Sequence, residues 1–477
     1  MNFNRRDFLR RSIKSALGGV ALYSALGNLK LVEAATRAKG IVFPDYKALV
    51  CVFLHGGNDS CNMIVPWDAP HYAIYNATRP AMAIPQAAVQ ALSLTPQAVQ
   101  PGLPGGPPSD GASYGLHPSM PDLRNLFNTQ HAAIIGNVGP LIGPITKAQL
   151  QNPAFPRPPQ LFSHDDQANF WQTSRPDNAN ADGWGGRIAD LLHAGNANPQ
   201  LPMTMSLGSQ SLFQRGANID QYVMKPCDTQ GGCGVTSIDY LGGYQNELGT
   251  ETFNALMASG TQAHMFERAY ANATRRSIST YEMLDSVLDT LPTWTTPFPA
   301  TGIGAQLRQV ANLINVRGPT GLNMQRQVFF VGFGDFDTHD NQLLRQAAIL
   351  GQLSQALNAF YQATVQMGVA NSVTAFTASD FGRTLSTNGD GTDHGWGGHH
   401  FVVGGAVRGG RFFGQMPSLV QANNPDDAGY GQIIPTTGVD PYAATLASWF
   451  GVDAGGIADI FPNLGLYPSA NLGFMSS

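Results

Sequence analysis

Short apolar runs recur along the chain and end in loops rich in glycine and aspartate. Residues 48–54 (ALVCVFL) lead into His55-Gly56-Gly57, 327–332 (QVFFVG) into GDFDTHDNQ, and 373–379 into Asp380. Residues 132–135, 203–207 and 401–403 are shorter runs of the same kind. Continuous apolar character predicts strands buried on both faces, as in a parallel sheet. Between them the period lengthens towards 3.6. Helices are predicted over 121–127, 183–192, 251–256, 280–291, 303–316, 343–367 and from 442 to 450. The 343–367 segment aligns Leu343, Leu344, Ala347, Leu350, Leu353, Leu357 and Phe360 on one stripe. Ser163 before HDDQANFWQ predicts an N-cap, with Asp165 and Asp166 favouring the positive helix start. Residues 80–118 and 140–159 read as loop with short helical pieces. Strands alternating with helices predict an α/β fold with a mostly parallel central sheet flanked by helices. A single domain over 40–477 is expected, with a helical insertion around 227–300.

Composition narrows the class. The 477 residues are 43% hydrophobic and 12% charged, enough for a large core. With 54 Gly and 32 Pro among recurring apolar runs, long ordered loops are expected and not disorder. A net charge of −5 argues against nucleic-acid binding by bulk electrostatics. Residues 1–35 carry Arg5-Arg6, Phe8-Leu9, a weakly apolar 16–31 and small residues near Ala34-Ala35. This is similar to a twin-arginine export signal, to be excluded from fold reasoning. It predicts the twin-arginine translocase as an export partner and a periplasmic or extracellular address. No other stretch has the ~20 apolar residues of a membrane span. Of four cysteines, Cys227 and Cys233 bracket DTQGG, a loop that a disulfide can close. Cys51 reads as a buried small hydrophobe, Cys61 follows a glycine loop, and the lack of any Cys-x-x-Cys argues against thiolate zinc.

The residues with chemistry in them follow strand runs: Asp59 and Ser60 after the first, Asp335, Asp337 and His339 after QVFFVG, Asp380 after 373–379. Loops leaving one sheet edge can meet in one crevice. Three of the 11 histidines, His394, His399 and His400, lie within seven residues of a glycine loop that also holds Asp393. Asp59, Asp337, His339, Asp380, Asp393 and His394 form a carboxylate–imidazole set that suits one or two divalent cations: zinc, calcium, magnesium or manganese. Two such ions can clamp the oxygens of a phosphate-like centre. Ser163 and Ser60 are candidate nucleophiles, each read more readily as a cap or turn residue. Arg383 can meet an oxyanion or pair with Asp380. His117 and His164 are candidate auxiliary or proton-transfer groups.

The ordered set FLHGGNDSCNMIVP, YGLHPSMPDLRNLF, FSHDDQANFWQT, GFGDFDTHDNQ, SDFGRT and GTDHGWGGHH, behind the export-like segment, resembles an exported bacterial family, domain of unknown function fifteen-hundred-and-one, placed in the alkaline phosphatase/sulfatase superfamily. The resemblance implies an alkaline phosphatase-like sandwich with a metal-assisted site at the strand ends. It implies Asp59, the Asp337–His339 pair, Asp380 and His394 with Asp393 beside it as metal ligands, and His399 as a second choice. The superfamily often places His after the strand-end aspartate, where this chain has Phe381. The absence of Cys/Ser-x-Pro-x-Arg argues against a formylglycine-type sulfatase.

The expectation is an exported metal-dependent hydrolase acting on small-molecule or polymeric phosphate or sulfate esters. The alternatives are a non-catalytic exported scaffold on a degenerate hydrolase fold, and a serine esterase using Ser60, Asp337 and His339.

Overall fold

A computed structural model describes residues 41–226, 247–258, 264–288 and 293–476. The export-like segment, Cys227, Cys233 and part of the expected insertion lie outside the described residues.

Thirteen strands occur among them: β1 (Lys47–Leu54), β2 (Ile64–Pro66), β3 (Tyr114–Leu116), β4 (Ala132–Gly139), β5 (Thr204–Leu207), β6 (Tyr222–Met224), β7 (Arg326–Phe333), β8 (Val373–Ser379), β9 (Arg383–Thr387), β10 (Thr392–His394), β11 (Gly398–Gly404), β12 (Phe412–Gly414) and β13 (Thr437–Gly438). Nine form the main sheet, in the order β12-β4-β11-β8-β1-β7-β5-β6, with β13 also on β4. Strand β11 runs antiparallel to β4 and β8, while the other pairings are parallel. The expected α/β fold is present, a mostly parallel central sheet flanked by helices. The two remaining pairs, β2–β3 and β9–β10, are separate and antiparallel.

Register explains why distant loops meet. Leu54 at the end of β1 pairs with Phe333 and with Ser379, so β1, β7 and β8 stop level with one another. The Ser379 hydroxyl donates to the Leu54 carbonyl at 2.7 Å and accepts the Asn58 N–H at 3.0 Å, tying the first loop to β8. Because β11 is antiparallel, it begins where its neighbours end. The β9–β10 hairpin is therefore delivered to the same edge.

Strands β1, β4, β8 and β11 are buried almost throughout, as two-sided coverage requires. The helix Gln342–Gln366 packs on Gly302–Asn315 and on Pro121–Asn128. Its Leu350, Leu353, Leu357 and Phe360 are buried as the stripe predicted. Leu343 and Leu344 are not: they are 41% and 76% exposed. In the first turn Gln342 and Gln346 face inward instead, onto a buried polar network around Asp59. The expected helix from 280 is the end of a longer one, Met265–Leu288. Cys51 and Cys61 are buried and free. No helix among the described residues is long and apolar enough to cross a membrane.

Candidate metal centre

The loop after β1 passes through Gly56 at φ +112°. A Cβ there would sit 2.4 Å from the Asp337 backbone nitrogen, so glycine alone allows this close crossing of the β7 loop. The crossing aims the Gly56 N–H at Asp380 Oδ2, 3.0 Å away. The same oxygen accepts from His164 Nδ1 at 2.7 Å. His164 opens the helix His164–Thr173. Just before it, Gln160 and Phe162 hold φ of +48° and +73°, a strained choice for residues with side chains. The outcome is a Phe162 carbonyl 2.9 Å from His394 Nδ1. On the far side, His339 Nδ1 lies 3.1 Å from Asp393 Oδ1.

A carbonyl or carboxylate oxygen only accepts, so each of these Nδ1 atoms carries its proton. In the neutral form of such a ring Nε2 is the lone-pair nitrogen, the atom that can bind a cation. The three Nε2 atoms converge: His394 is 3.0 Å from His164 and 3.0 Å from His339. Asp337 closes the group, with Oδ1 3.0 Å from His339 and 3.6 Å from His394, and Oδ2 3.5 Å from His164. His164, Asp337 and His394 offer donors within 4.8 Å of one another. Imidazole nitrogens and a carboxylate oxygen gathered at this spacing are a donor set that suits a cation. A tetrahedron with ~2.0–2.1 Å metal–nitrogen bonds has edges of about 3.3–3.4 Å; the separations among His164, Asp337 and His394 are 3.0, 3.5 and 3.6 Å, and His339 lies 3.0 Å from both His394 and Asp337. Asp337 and His339 are 45% and 44% exposed in their side chains, so the centre opens to solvent on their side.

The surroundings fix charge and orientation. Arg383 is buried; its Nη1 donates to Asp337 Oδ1 at 2.6 Å and to the Gly56 carbonyl at 3.1 Å, its Nε to Thr392 Oγ1 and its Nη2 to the Thr392 carbonyl. Burial opposes ionisation of Asp337, but the Arg383 hydrogen bond and charge outweigh it and hold the carboxyl below its ordinary value. The Asp380 hydrogen bond raises His164 against the effect of burial. Burial lowers His394, aided by the positive Arg383 and the neighbouring His164. The buried Phe381 ring packs 4.7 Å from the His164 ring and 4.8 Å from that of His394, backing both imidazoles.

Asp337, His339 and His394 therefore meet, while Asp380 and Asp393 each turn one oxygen to the Nδ1 of a histidine. Other expectations need correcting. Asp59 is 1% exposed and bound bidentately by Arg79, with Nη–O distances of 2.9 and 2.5 Å. Its remaining lone pairs go to the Cys61 and Asn62 N–H groups and to Gln342. His399 is buried in β11 with Nδ1 accepting the Asn137 N–H, and burial takes it down to about 4. Ser60 is 3% exposed, tucked beside Gly398. Ser163 stands at the N-cap position but its side chain makes no cap hydrogen bond. Arg383 pairs with Asp337, not Asp380. His117 is buried, with Nδ1 accepting the Ser119 N–H. His164, expected only in an auxiliary role, lies at the heart of the cluster. It follows no strand run, and its one signal was its place at the start of an expected helix.

Residues 46–437 match the family described as "Protein of unknown function (DUF1501)". The chain belongs to that family. All the residues of the DUF1501 centre described above lie within the matched span. No curated protein matches the chain. Among solved structures it is similar to "Ps i-CgsB in complex with k-i-k-neocarrahexaose", at 9% identity and a TM-score of 0.35, covering 86% of this chain and 74% of that one. A likeness that shallow carries no argument for the chemistry of the DUF1501 chain.

Proposed function

We propose that the protein is a metal-dependent hydrolase of phosphate or sulfate esters, built on an alkaline phosphatase/sulfatase-like sandwich and acting in the periplasm or outside the cell after twin-arginine export. The supporting observation is the gathering of three imidazole Nε2 atoms around the Asp337 carboxylate. His164, His339, His394 and Asp337 would hold the ion. An imidazole-rich set of this kind suits zinc better than calcium or magnesium. When bound, such an ion supplies Lewis-acid polarisation of an ester's phosphoryl or sulfuryl oxygen.

The chain's own groups have defined tasks. Asp380, Asp393 and the Phe162 carbonyl hold three Nδ1 protons, which fixes each imidazole's tautomer and aim. Arg383 keeps Asp337 ionised. Asp337, Asp380 and Asp393 set three carboxyl groups against the single guanidinium of Arg383, a balance that suits a divalent cation. Of the candidate hydroxyls, Ser163 adjoins His164 and is partly exposed, whereas Ser60 is buried. The attacking oxygen is accordingly assigned to Ser163 or to water. A Ser60–His339–Asp337 triad has no such support, because both His339 nitrogens face Asp393, Asp337 and His394.

The test is hydrolysis of aryl phosphate and aryl sulfate panels by the purified chain, with and without chelator, alongside Asp337→Ala. Turnover that chelator and the substitution each remove supports the proposal. Ester turnover untouched by chelator contradicts it, and metal binding without any turnover favours the exported scaffold instead.

A further inference from the structure

We infer that the centre takes one ion, and that a guanidinium, Arg79, occupies the position from which Asp59 would otherwise hold a second. The inference rests on the hydrolase reading and sharpens it. Asp59 follows β1 at the same sheet edge as the cluster, and Gln342 and Thr392 bridge it to Arg383. A second ion at that edge would draw on this carboxylate. Yet Oδ1 already accepts from Cys61 N, Asn62 N and Arg79 Nη1, and Oδ2 from Arg79 Nη2 and Gln342 Nε2. A carboxylate offers about four lone-pair sites, so this one is saturated. Arg79 is 0% exposed; a metal that displaced it would leave a buried, unpaired guanidinium, which is strongly unfavourable.

Of the other strand-end carboxylates, Asp335 is exposed and Asp380 cannot build a second site alone. Asp380 spends Oδ2 on His164 and Gly56, and its buried Oδ1 has no hydrogen-bond partner. One oxygen is not a coordination shell, and among the described residues a single group of three or more metal donors converges.

The Asp59–Arg79 pair is also wired to the centre. Gln342 donates to Asp59 and, through Oε1, accepts from Thr392 Oγ1 at 2.6 Å. Thr392 Oγ1 accepts from Arg383 Nε at 3.2 Å, and Arg383 grips Asp337 at 2.6 Å. Gln346 Nε2 secures the Asp59 carbonyl at 2.7 Å. Facing Asp59, the Gln342 amide has one orientation, which sets the hydroxyl of Thr392 and through it the plane of Arg383. The Asp59–Arg79 pair is thus joined to the residues that hold Asp337 without being a donor itself.

The test is zinc stoichiometry and affinity of the full chain, by elemental analysis after dialysis and by competition with a chromophoric chelator. It uses the native protein, His394→Ala, and Asp59→Asn combined with Arg79→Met so that no lone buried charge remains. One ion per native chain is expected, retained by the double variant with affinity within about tenfold and weakened at least about 100-fold by His394→Ala. Two ions per native chain, or loss of an ion from a folded double variant, overturns the inference alone. Absence of any bound ion overturns it together with the hydrolase reading. If the double variant does not fold, the native count decides.

Discussion

The helix that begins with His164 ends at Ser174, a C-cap in the left-handed region at φ +51°. The Ser174 hydroxyl donates to Asp440 Oδ2 at 2.8 Å. Asp440 stands in the first turn of the helix Val439–Phe450, is 0% exposed, and has no hydrogen-bond partner on Oδ1. Burial pushes its carboxyl up to about 7, with the Ser174 bond and the Arg187 charge opposing. The folded chain thus keeps a proton that the unfolded chain releases near pH 3.8, so the stability Asp440 provides is present at low pH and lost as pH rises towards 7. From 3.8 to about 7 at ~1.36 kcal/mol per unit, the loss approaches ~4 kcal/mol. Asp440→Asn keeps an acceptor for Ser174 and abolishes the titration. Urea unfolding followed by tryptophan fluorescence at pH 4.5 and pH 8 should show variant minus native stability rising by ~2–4 kcal/mol between the two. Subtracting the native curve cancels every other titrating group. A difference that does not move with pH would refute the reasoning.

Other outcomes follow from the same contacts. Asp393→Asn weakens the partner that orients His339 and should lower metal affinity ~10–100-fold with unchanged unfolding of the metal-free chain, read by chelator competition. Phe381→Ala removes the ring behind His164 and His394; it should cost ~3–5 kcal/mol in denaturant unfolding and weaken metal binding as well. Gly56→Ala places a methyl against the Asp337 backbone and must hold φ +112°, so folded yield and metal affinity should both fall, measured by circular dichroism and the same competition.

The sheet was legible because β1, β7 and β8 are buried on both faces and must be apolar throughout. Their level ends then made Asp337, His339 and Asp380 neighbours. Function within that edge was harder to read. Asp59 has the position of a ligand, but its partner Arg79 comes from a helix end that no local pattern links to it. His164 arrives from a helix start, held by Asp380 far along the chain. Leu343 and Leu344 fitted an apolar stripe, yet the first turn of their helix buries Gln342 and Gln346, since an inward carboxylate needs polar company. Each miss is a buried polar pairing between remote residues, and hydrophobic periodicity does not encode such pairings.

The central claim is the convergence of His164, His339, His394 and Asp337 on one cation, and X-ray absorption at the zinc edge of the loaded full chain tests it most directly. A first shell of nitrogen and oxygen with the multiple-scattering signature of three imidazoles is expected, falling to two in His164→Ala. A shell of oxygen alone, or one unchanged in His164→Ala, would contradict it.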